Sequence, residues 1–75
     1  MAGKILVYGS YGYTGDLIAR FAKEDSIDVV LSGRNSDRLQ KQAQRYGFGF
    51  VPADLSDPDS IRSALRDADV VIHCA

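Results

Sequence analysis

A glycine-spaced loop near the start of the chain is the segment best suited to chemistry. It runs from Gly9 to Gly15 with glycine at every third position, after the apolar run 5–8 and before the helical pattern that begins at Leu17. A dinucleotide pyrophosphate needs bare backbone N–H groups and the positive end of a helix dipole, and a Cβ on the turn would hold the phosphates away. Glycines Gly9, Gly12 and Gly15 therefore predict a dinucleotide-binding turn, with a purely structural turn as the alternative.

The same loop carries hydroxyl groups that could contact phosphate. They belong to Ser10, Tyr11, Tyr13 and Thr14. Thr14 could also cap the following helix by accepting a hydrogen bond from a backbone N–H. Among the tyrosines we expect Tyr11 to face a ligand, although simple packing explains it equally well.

The residues after the predicted second strand bear on the choice of cofactor. A site selective for NAD places a carboxylate about 20 residues beyond the glycine loop, whereas a site selective for NADP places a cation there. No acidic residue occurs from Leu31 to Ser36. The segment instead supplies donors for a 2′-phosphate, namely Ser32, Arg34, Asn35 and, one turn further on, Arg38. We predict NADP as the cofactor. Alternatively, Arg34 and Arg38 are solvated surface charges.

Asp54 and Leu55 follow the predicted third strand. At the carboxyl edge of a parallel sheet, Asp54 could accept a hydrogen bond from the adenine amino group while Leu55 packs on the ring. The alternative is that Asp54 turns the loop into the next helix. That helix begins with Asp57 as its cap and Pro58 at its first position, where proline loses no hydrogen bond.

His73 and Cys74 are neighbours, but they do not predict a metal or catalytic site. Adjacent strand residues point to opposite faces of a sheet, and the sequence contains one histidine and one cysteine. No tyrosine is followed four residues later by lysine, the pair that a short-chain dehydrogenase requires. We predict no metal site and no complete catalytic constellation.

Apolar runs alternate with segments of helical period along the chain. The predicted strands are Lys4–Gly9, Ile27–Ser32, Phe48–Pro52 and Asp69–Cys74, and the predicted helices are Thr14–Glu24, Ser36–Tyr46 and Pro58–Arg66. Continuous apolar runs such as 29–31 are typical of parallel strands covered on both faces. Right-handed crossovers then give an α/β fold, βαβαβαβ, with a parallel sheet of order 3-2-1-4, which is half of a doubly wound Rossmann fold.

Each predicted helix presents one apolar stripe to the sheet. In the second helix the stripe consists of Leu39, Ala43 and Tyr46. We expect the opposite faces to be solvated, including Arg38, Lys41, Gln42, Arg45, Arg62 and Arg66.

Composition limits the class of protein. The 75 residues form at most one small domain, 1–75, and the net charge of −1 does not suggest a nucleic acid partner. No apolar run approaches the roughly 18 residues that span a membrane, and the start of the chain lacks a signal-peptide pattern. We expect a cytoplasmic protein, in keeping with a single cysteine. Because Ala75 falls at the carboxyl end of the fourth strand, we also expect the segment to be truncated and inactive alone.

Four segments together resemble a known family. They are Val7–Gly15, Leu31–Asn35 with Leu39 downstream, Ala53–Leu55 and Asp69–Ala75. They look like the N-terminal NADP-binding segment of saccharopine dehydrogenase-like oxidoreductases. The resemblance spans essentially the whole chain, and it is most specific at Gly12–Gly15 and Gly33–Asn35. It implies a nicotinamide-dependent reductase or dehydrogenase with a separate C-terminal substrate domain.

Two other families share parts of this pattern. N-acetyl-glutamyl-phosphate reductases have a similar Gly-Tyr-Thr-Gly loop, and atypical short-chain dehydrogenases have a similar glycine loop with Asp-Leu after the third strand. A non-catalytic NADP-sensing module, or a folding or assembly unit that binds nucleotide weakly, is a further alternative. We also expect the fourth strand, residues 70–74, to be an apolar sheet edge that pairs with a second copy in a homodimer.

Overall fold

The computed structural model describes residues 4–66 and 68–74 and contains four strands and three helices. The strands are β1 (Ile5–Tyr8), β2 (Val30–Gly33), β3 (Gly49–Pro52) and β4 (Val70–His73), and the helices are α1 (Tyr13–Glu24), α2 (Ser36–Tyr46) and α3 (Pro58–Leu65). Strands and helices alternate, which confirms the predicted βαβαβαβ order. The expectation that the segment stops at an active edge falls on Ala75, which lies outside the described residues.

The strands form one parallel sheet of order β3-β2-β1-β4. This order confirms the predicted 3-2-1-4 arrangement. Val7 lies opposite Leu31 of β2 on one side and Ile72 of β4 on the other. Because all strands run in the same direction, their carboxyl ends meet at one edge of the sheet, where nucleotide sites of doubly wound folds lie.

Alternate residues of β1 pack into two different cores. Val7 joins Leu31 beneath α1 and α2, whereas Leu6 and Tyr8 point to the other face and pack with Ala64 of α3. The two-residue period of a strand explains this division. Since both faces of the central strands are covered, the continuous apolar runs are required for packing and do not alternate with polar residues.

The helices begin in different ways. The Asn35 side chain caps α2 by accepting a hydrogen bond from Arg38 N at 3.1 Å, and Asp57 caps α3 by accepting one from Asp59 N at 3.2 Å. The predicted start of α3 is therefore confirmed. The prediction that Thr14 caps α1 is wrong, because the cap position is Gly12, which has no side chain, and Thr14 lies inside the first turn.

The second strand begins later than its sequence suggests. It was predicted from Ile27, but β2 starts at Val30. After α1, Ser26 adopts a left-handed φ of 59° and Ile27 N donates back to Ala22 O at 2.8 Å. Residues 25–29 therefore form the connection between α1 and β2.

Gln42 is the main exception to the predicted helix faces. It was expected on the solvated face of α2, but only 5% of its surface is exposed. Its amide bonds to groups of the glycine loop and α1, as described below, and those bonds make its burial possible. None of the helices within 4–66 or 68–74 is long and apolar enough to cross a membrane.

Candidate functional site

A cleft of about 300 Å³ opens at the carboxyl edge of the sheet. Its walls come from the ends of all four strands and from the glycine loop, and they consist of Tyr8, Gly9, Tyr11, Gly12, Gly33, Arg34, Asp54, Leu55 and Cys74. The parallel topology explains how residues so far apart in sequence meet at one place. The cleft brings together six of the thirteen residues predicted to bind a cofactor, namely Gly9, Tyr11, Gly12, Arg34, Asp54 and Leu55.

The glycines at either end of the loop have different structural roles. Gly9 has a φ of 80°, which side-chain-bearing residues rarely adopt, and its N–H donates to Ser32 O at 2.8 Å. A Cβ on Gly15 would lie 2.7 Å from Ser10 Cα, so glycine is required there for α1 to approach the loop. Gly9 therefore sets the turn, and Gly15 allows the close packing of α1.

Gly12 lies where it could admit a ligand. A Cβ there would meet only Gly9 O, at an ordinary contact distance of 3.5 Å. It precedes α1 and contributes no side-chain cap, and among the described residues no acceptor faces the first-turn amides of Tyr13, Thr14 and Gly15. Unsatisfied N–H groups and the helix dipole favour an anion at such a terminus. A dinucleotide pyrophosphate therefore fits the residues present.

A buried polar network supports the loop from below. The Ser10 hydroxyl donates to Gln42 Oε1 at 2.7 Å, while Gln42 Nε2 donates to Ser10 O at 2.6 Å and to Asp16 Oδ1 at 3.0 Å. The Tyr46 hydroxyl donates to the Asp16 carboxylate at 3.1 Å. These bonds connect the glycine loop to α1 and α2 and fix its position relative to both helices.

This network corrects the expectation for Ser10. Its hydroxyl was predicted to contact phosphate, but Ser10 has no exposed surface and its hydroxyl is used by Gln42. Sequence reasoning missed Gln42 because its partners lie 26 and 32 residues away. Polar residues of an amphipathic helix give no local signal of such burial.

Tyr11 closes one side of the cleft. Its ring lies against Gly33, where a Cβ would be 2.6 Å from Cε2, and its hydroxyl accepts a hydrogen bond from Asn35 N at 2.9 Å. The Arg38 guanidinium lies 4.5 Å from the centre of the ring. Tyr11 therefore faces the cleft and packs on the end of β2 at the same time, so both interpretations of this residue hold.

The donors predicted around the end of β2 are separated. Arg34 is exposed and lines the cleft, whereas Arg38 lines a neighbouring groove between α1 and α2. Ser32 is fully buried and its hydroxyl donates to Val51 O at 2.7 Å, so it is not available to a 2′-phosphate as predicted. The Asn35 side chain is exposed, but its oxygen caps α2. Arg34 is the predicted cation that the structure leaves in the cleft.

Asp54 organises the loop after β3 and also lines the cleft. Its Oδ1 accepts hydrogen bonds from Ser56 N at 2.9 Å and from the Ser56 hydroxyl at 2.8 Å. These bonds, and to a smaller extent the nearby charge of Arg34, lower the pKa of Asp54 below its ordinary value. The turn-forming role is confirmed, while the adenine contact remains a prediction. Leu55 is exposed beside it.

His73 and Cys74 lie on opposite faces of the sheet, as predicted. The His73 ring packs 5.7 Å from that of Tyr8, whereas Cys74 packs against the core under α1 and α2 and borders the cleft. Within the described part of the chain, no three His, Cys, Asp or Glu residues come together as metal ligands. The two neighbours therefore do not form a joint site.

A parallel sheet of order 3-2-1-4, with a glycine loop and an open helix terminus at its carboxyl edge, defines a Rossmann-like nucleotide-binding domain. The sequence pattern of the NAD(P)H-binding family matches residues 9–75. The chain belongs to this family, and its cofactor class is a nicotinamide dinucleotide.

Several curated relatives are named as oxidoreductases of different types. The chain is 36% identical over 69 residues to a glutamyl-tRNA reductase of Caldivirga maquilingensis, a match covering 92% of this chain and 16% of the relative. It is 30% identical over 84 residues to a serine 3-dehydrogenase of Agrobacterium fabrum, covering 100% and 34%. It is 27% identical over 90 residues to a saccharopine dehydrogenase-like oxidoreductase of Rattus norvegicus, covering 95% and 21%. The chain thus spans about a third or less of these relatives.

Solved structures agree with this assignment. A candidate short-chain oxidoreductase from Thermus thermophilus matches with a TM-score of 0.81 and 32% identity, covering 93% of this chain and 35% of that one. The nucleotide-binding domain of glutamyl-tRNA reductase from Thermoplasma volcanium matches with a TM-score of 0.72 and 28% identity, covering 96% and 48%. The fold and the nucleotide-binding class are shared across several types of oxidoreductase.

Proposed function

We propose that this chain binds NADP(H), in preference to NAD(H), on behalf of a nicotinamide-dependent oxidoreductase. The observation that carries the proposal is the pairing of an open α1 terminus with Arg34 in the same cleft. The terminus suits the pyrophosphate, and the guanidinium suits the 2′-phosphate that distinguishes the two cofactors.

Different residues of the cleft bind different parts of the cofactor. Gly9, Gly12 and Gly15 form the turn and allow the pyrophosphate to approach the first-turn amides of α1. Arg34 pairs with the 2′-phosphate. Asp54 and Leu55 frame the adenine ring, since both line the cleft beyond β3. When bound, the nicotinamide supplies the hydride chemistry, and the protein supplies position and electrostatics.

For the type of oxidoreductase, we propose the saccharopine dehydrogenase-like family. The Gly-Tyr-Thr-Gly end of the loop and Gly33–Asn35 support this assignment, together with the relative from Rattus norvegicus. The short-chain dehydrogenase type is the second candidate, favoured by the similarity to the Thermus thermophilus structure. A Tyr-x-x-x-Lys pair in a longer protein that contains this chain would favour the second candidate, and its absence would favour the first.

Calorimetric titration with NADP, NAD and 2′,5′-ADP tests the cofactor proposal. We expect NADP and 2′,5′-ADP to bind and NAD to bind more weakly. Arg34→Ala should weaken NADP binding by about 10- to 100-fold, because it removes a charge-assisted contact worth roughly 1.5–3 kcal/mol, while NAD binding should change little. Arg62→Ala, which removes an exposed arginine of α3, is the matched control. Equal binding of NAD and NADP to the unmodified chain would show that the assignment is wrong.

A further inference from the structure

A second cavity, of about 470 Å³, lies between α1 and α2. We call it the α1–α2 groove, and its lining residues are Tyr11, Gly12, Tyr13, Asp16, Leu17, Arg20, Arg38, Lys41, Gln42 and Arg45. It shares Tyr11 and Gly12 with the cleft but none of the strand-end residues. The groove therefore adjoins the cleft but is lined mainly by different side chains.

The α1–α2 groove concentrates positive charge in a chain whose net charge is −1. Arg20 comes from α1, and Arg38, Lys41 and Arg45 come from one side of α2. Within 4–66 and 68–74, the salt bridge present joins Arg62 to Asp59, so these four cations have no carboxylate partner there. Clefts lined by one sign of charge raise the local concentration of ligands of the opposite sign.

The single carboxylate in the groove, Asp16, is already engaged. Its oxygens accept hydrogen bonds from the Gln42 amide and the Tyr46 hydroxyl. Asp16 is held among these donors and bonds to none of the four cations. The groove thus contains four cations and one carboxylate, and the oxygens of that carboxylate already accept hydrogen bonds. The positive charges in the groove therefore outnumber the negative charge.

Three of the cations contact aromatic rings, and one of them is Arg20, whose guanidinium lies 5.6 Å from the centre of the Phe21 ring. The Arg38 guanidinium lies 4.5 Å from the centre of the Tyr11 ring, and that of Arg45 lies 6.0 Å from the centre of the Tyr46 ring. Both tyrosine hydroxyls are hydrogen-bonded, to Asn35 N and to Asp16 respectively. Cation–π contacts to anchored rings reduce the freedom of a guanidinium and hence the entropy lost when it binds an anion.

The spacing of the cations indicates the shape of the ligand. Arg38 and Arg45 are seven residues apart, which is about 10 Å along a helix axis. A single phosphate is too compact to use both ends of such a row at once. We propose that the α1–α2 groove binds an elongated polyanion of the oligophosphate class, separately from the dinucleotide cleft. This site does not depend on the proposed cofactor preference.

The test is a titration of the ¹⁵N-labelled chain with sodium tripolyphosphate, followed by amide chemical shifts, with and without saturating NADP. We expect shifts at 38–45 and around Arg20 that persist when NADP is present, and weaker binding of inorganic phosphate. A parallel titration with adenosine 5′-triphosphate distinguishes the source of the phosphates. If the groove recognises only the phosphates, tripolyphosphate and adenosine 5′-triphosphate should bind with equal affinity. If it also recognises the nucleoside, adenosine 5′-triphosphate should bind more tightly and add a shift at Tyr13, which is 84% exposed.

Matched double variants locate the site. Lys41→Gln with Arg45→Gln removes two charges from the groove, and Arg62→Gln with Arg66→Gln removes one from α3 and one from the residue that follows it. We expect the first pair to weaken tripolyphosphate binding about tenfold and the second to leave it unchanged. The single variant Arg45→Gln serves if the first pair does not fold. The proposal would be overturned by equal effects of the two pairs, by shifts confined to 9–15, or by no shifts at millimolar tripolyphosphate. NADP binding is measured in a separate titration, so its failure is distinguishable from these outcomes.

Discussion

The Tyr11 ring lies against the backbone of Gly33 so closely that a Cβ at position 33 would be 2.6 Å from Tyr11 Cε2. The same ring bonds through its hydroxyl to Asn35 N and lies beneath the Arg38 guanidinium. The glycine at the end of β2 is thus matched to a tyrosine in the glycine loop. This contact joins the two segments that define the nucleotide cleft.

We expect Gly33→Ala to displace the Tyr11 ring and lower the free energy of unfolding by about 1 kcal/mol, because the hydrogen bond to Asn35 is lost. Urea denaturation measures the change. Gly49→Ala is the matched control, since a Cβ at Gly49 meets no atom within 4 Å. In a Tyr11→Ala background the cost of Gly33→Ala should disappear. If Gly33→Ala lowered the free energy of unfolding equally in the Tyr11→Ala background, the contact with the Tyr11 ring would not be the cause.

Substitutions at Gly12 and Gly15 should have different effects. Gly12→Val should leave the stability nearly unchanged but weaken NADP binding by at least about tenfold, because the side chain enters the approach to the first-turn amides. Gly15→Ala should lower the free energy of unfolding by about 3 kcal/mol, because its Cβ meets the Ser10 backbone at 2.7 Å.

Thr14→Ala is the control for both glycine variants, since it removes one exposed hydroxyl. We expect it to alter neither stability nor binding strongly. Calorimetry and urea denaturation on the same samples separate the two effects. If NADP binding were insensitive to all three substitutions, the loop would be only a turn.

Gln42 should be important for both folding and binding, although its side-chain hydrogen bonds in the described structure go to Ser10 and Asp16, which do not line the cleft. Gln42→Ala leaves the buried hydroxyl and carbonyl of Ser10 without their partner, at a cost of roughly 1–3 kcal/mol per buried group, while Asp16 keeps its hydrogen bond from Tyr46. We expect a lower free energy of unfolding and weaker NADP binding. Gln44→Ala, at an exposed position of the same helix, is the control and should change neither. Equal stability of the two variants would contradict the role of the network.

The β4 edge should mediate self-association. In the described sheet β4 pairs with β1 alone, and its side chains Val70 and Val71 are 52% and 45% exposed. We propose a two-fold dimer in which the β4 strands pair antiparallel. Light scattering at micromolar concentration should show a dimer that Val71→Lys dissociates. Phe50→Lys, on the opposite edge strand β3, is the control and should leave it intact. A well-folded monomer of the unmodified chain would defeat the proposal.

The sequence by itself determined the order of elements, the parallel sheet and the position of the nucleotide cleft. These features depend on local patterns, namely apolar runs such as 29–31, the helix start at Asp57 and the glycine spacing of the loop. The handedness of crossovers then restricts the topology to the observed strand order. The separation of His73 from Cys74 across the sheet was predictable for another local reason, because successive side chains of a strand point to opposite faces.

Only the tertiary structure decided which polar side chains face the cleft. Ser10 and Ser32 occur in the expected loops, but their hydroxyls are used by Gln42 and by Val51 O. Tyr11 meets Gly33 across 22 positions of sequence, and its ring lies between the cleft that Arg34 lines and the α1–α2 groove that Arg38 lines. A buried polar group must find a partner, and the partner is supplied by whichever segment the fold brings near it. That proximity has no local signature in the chain.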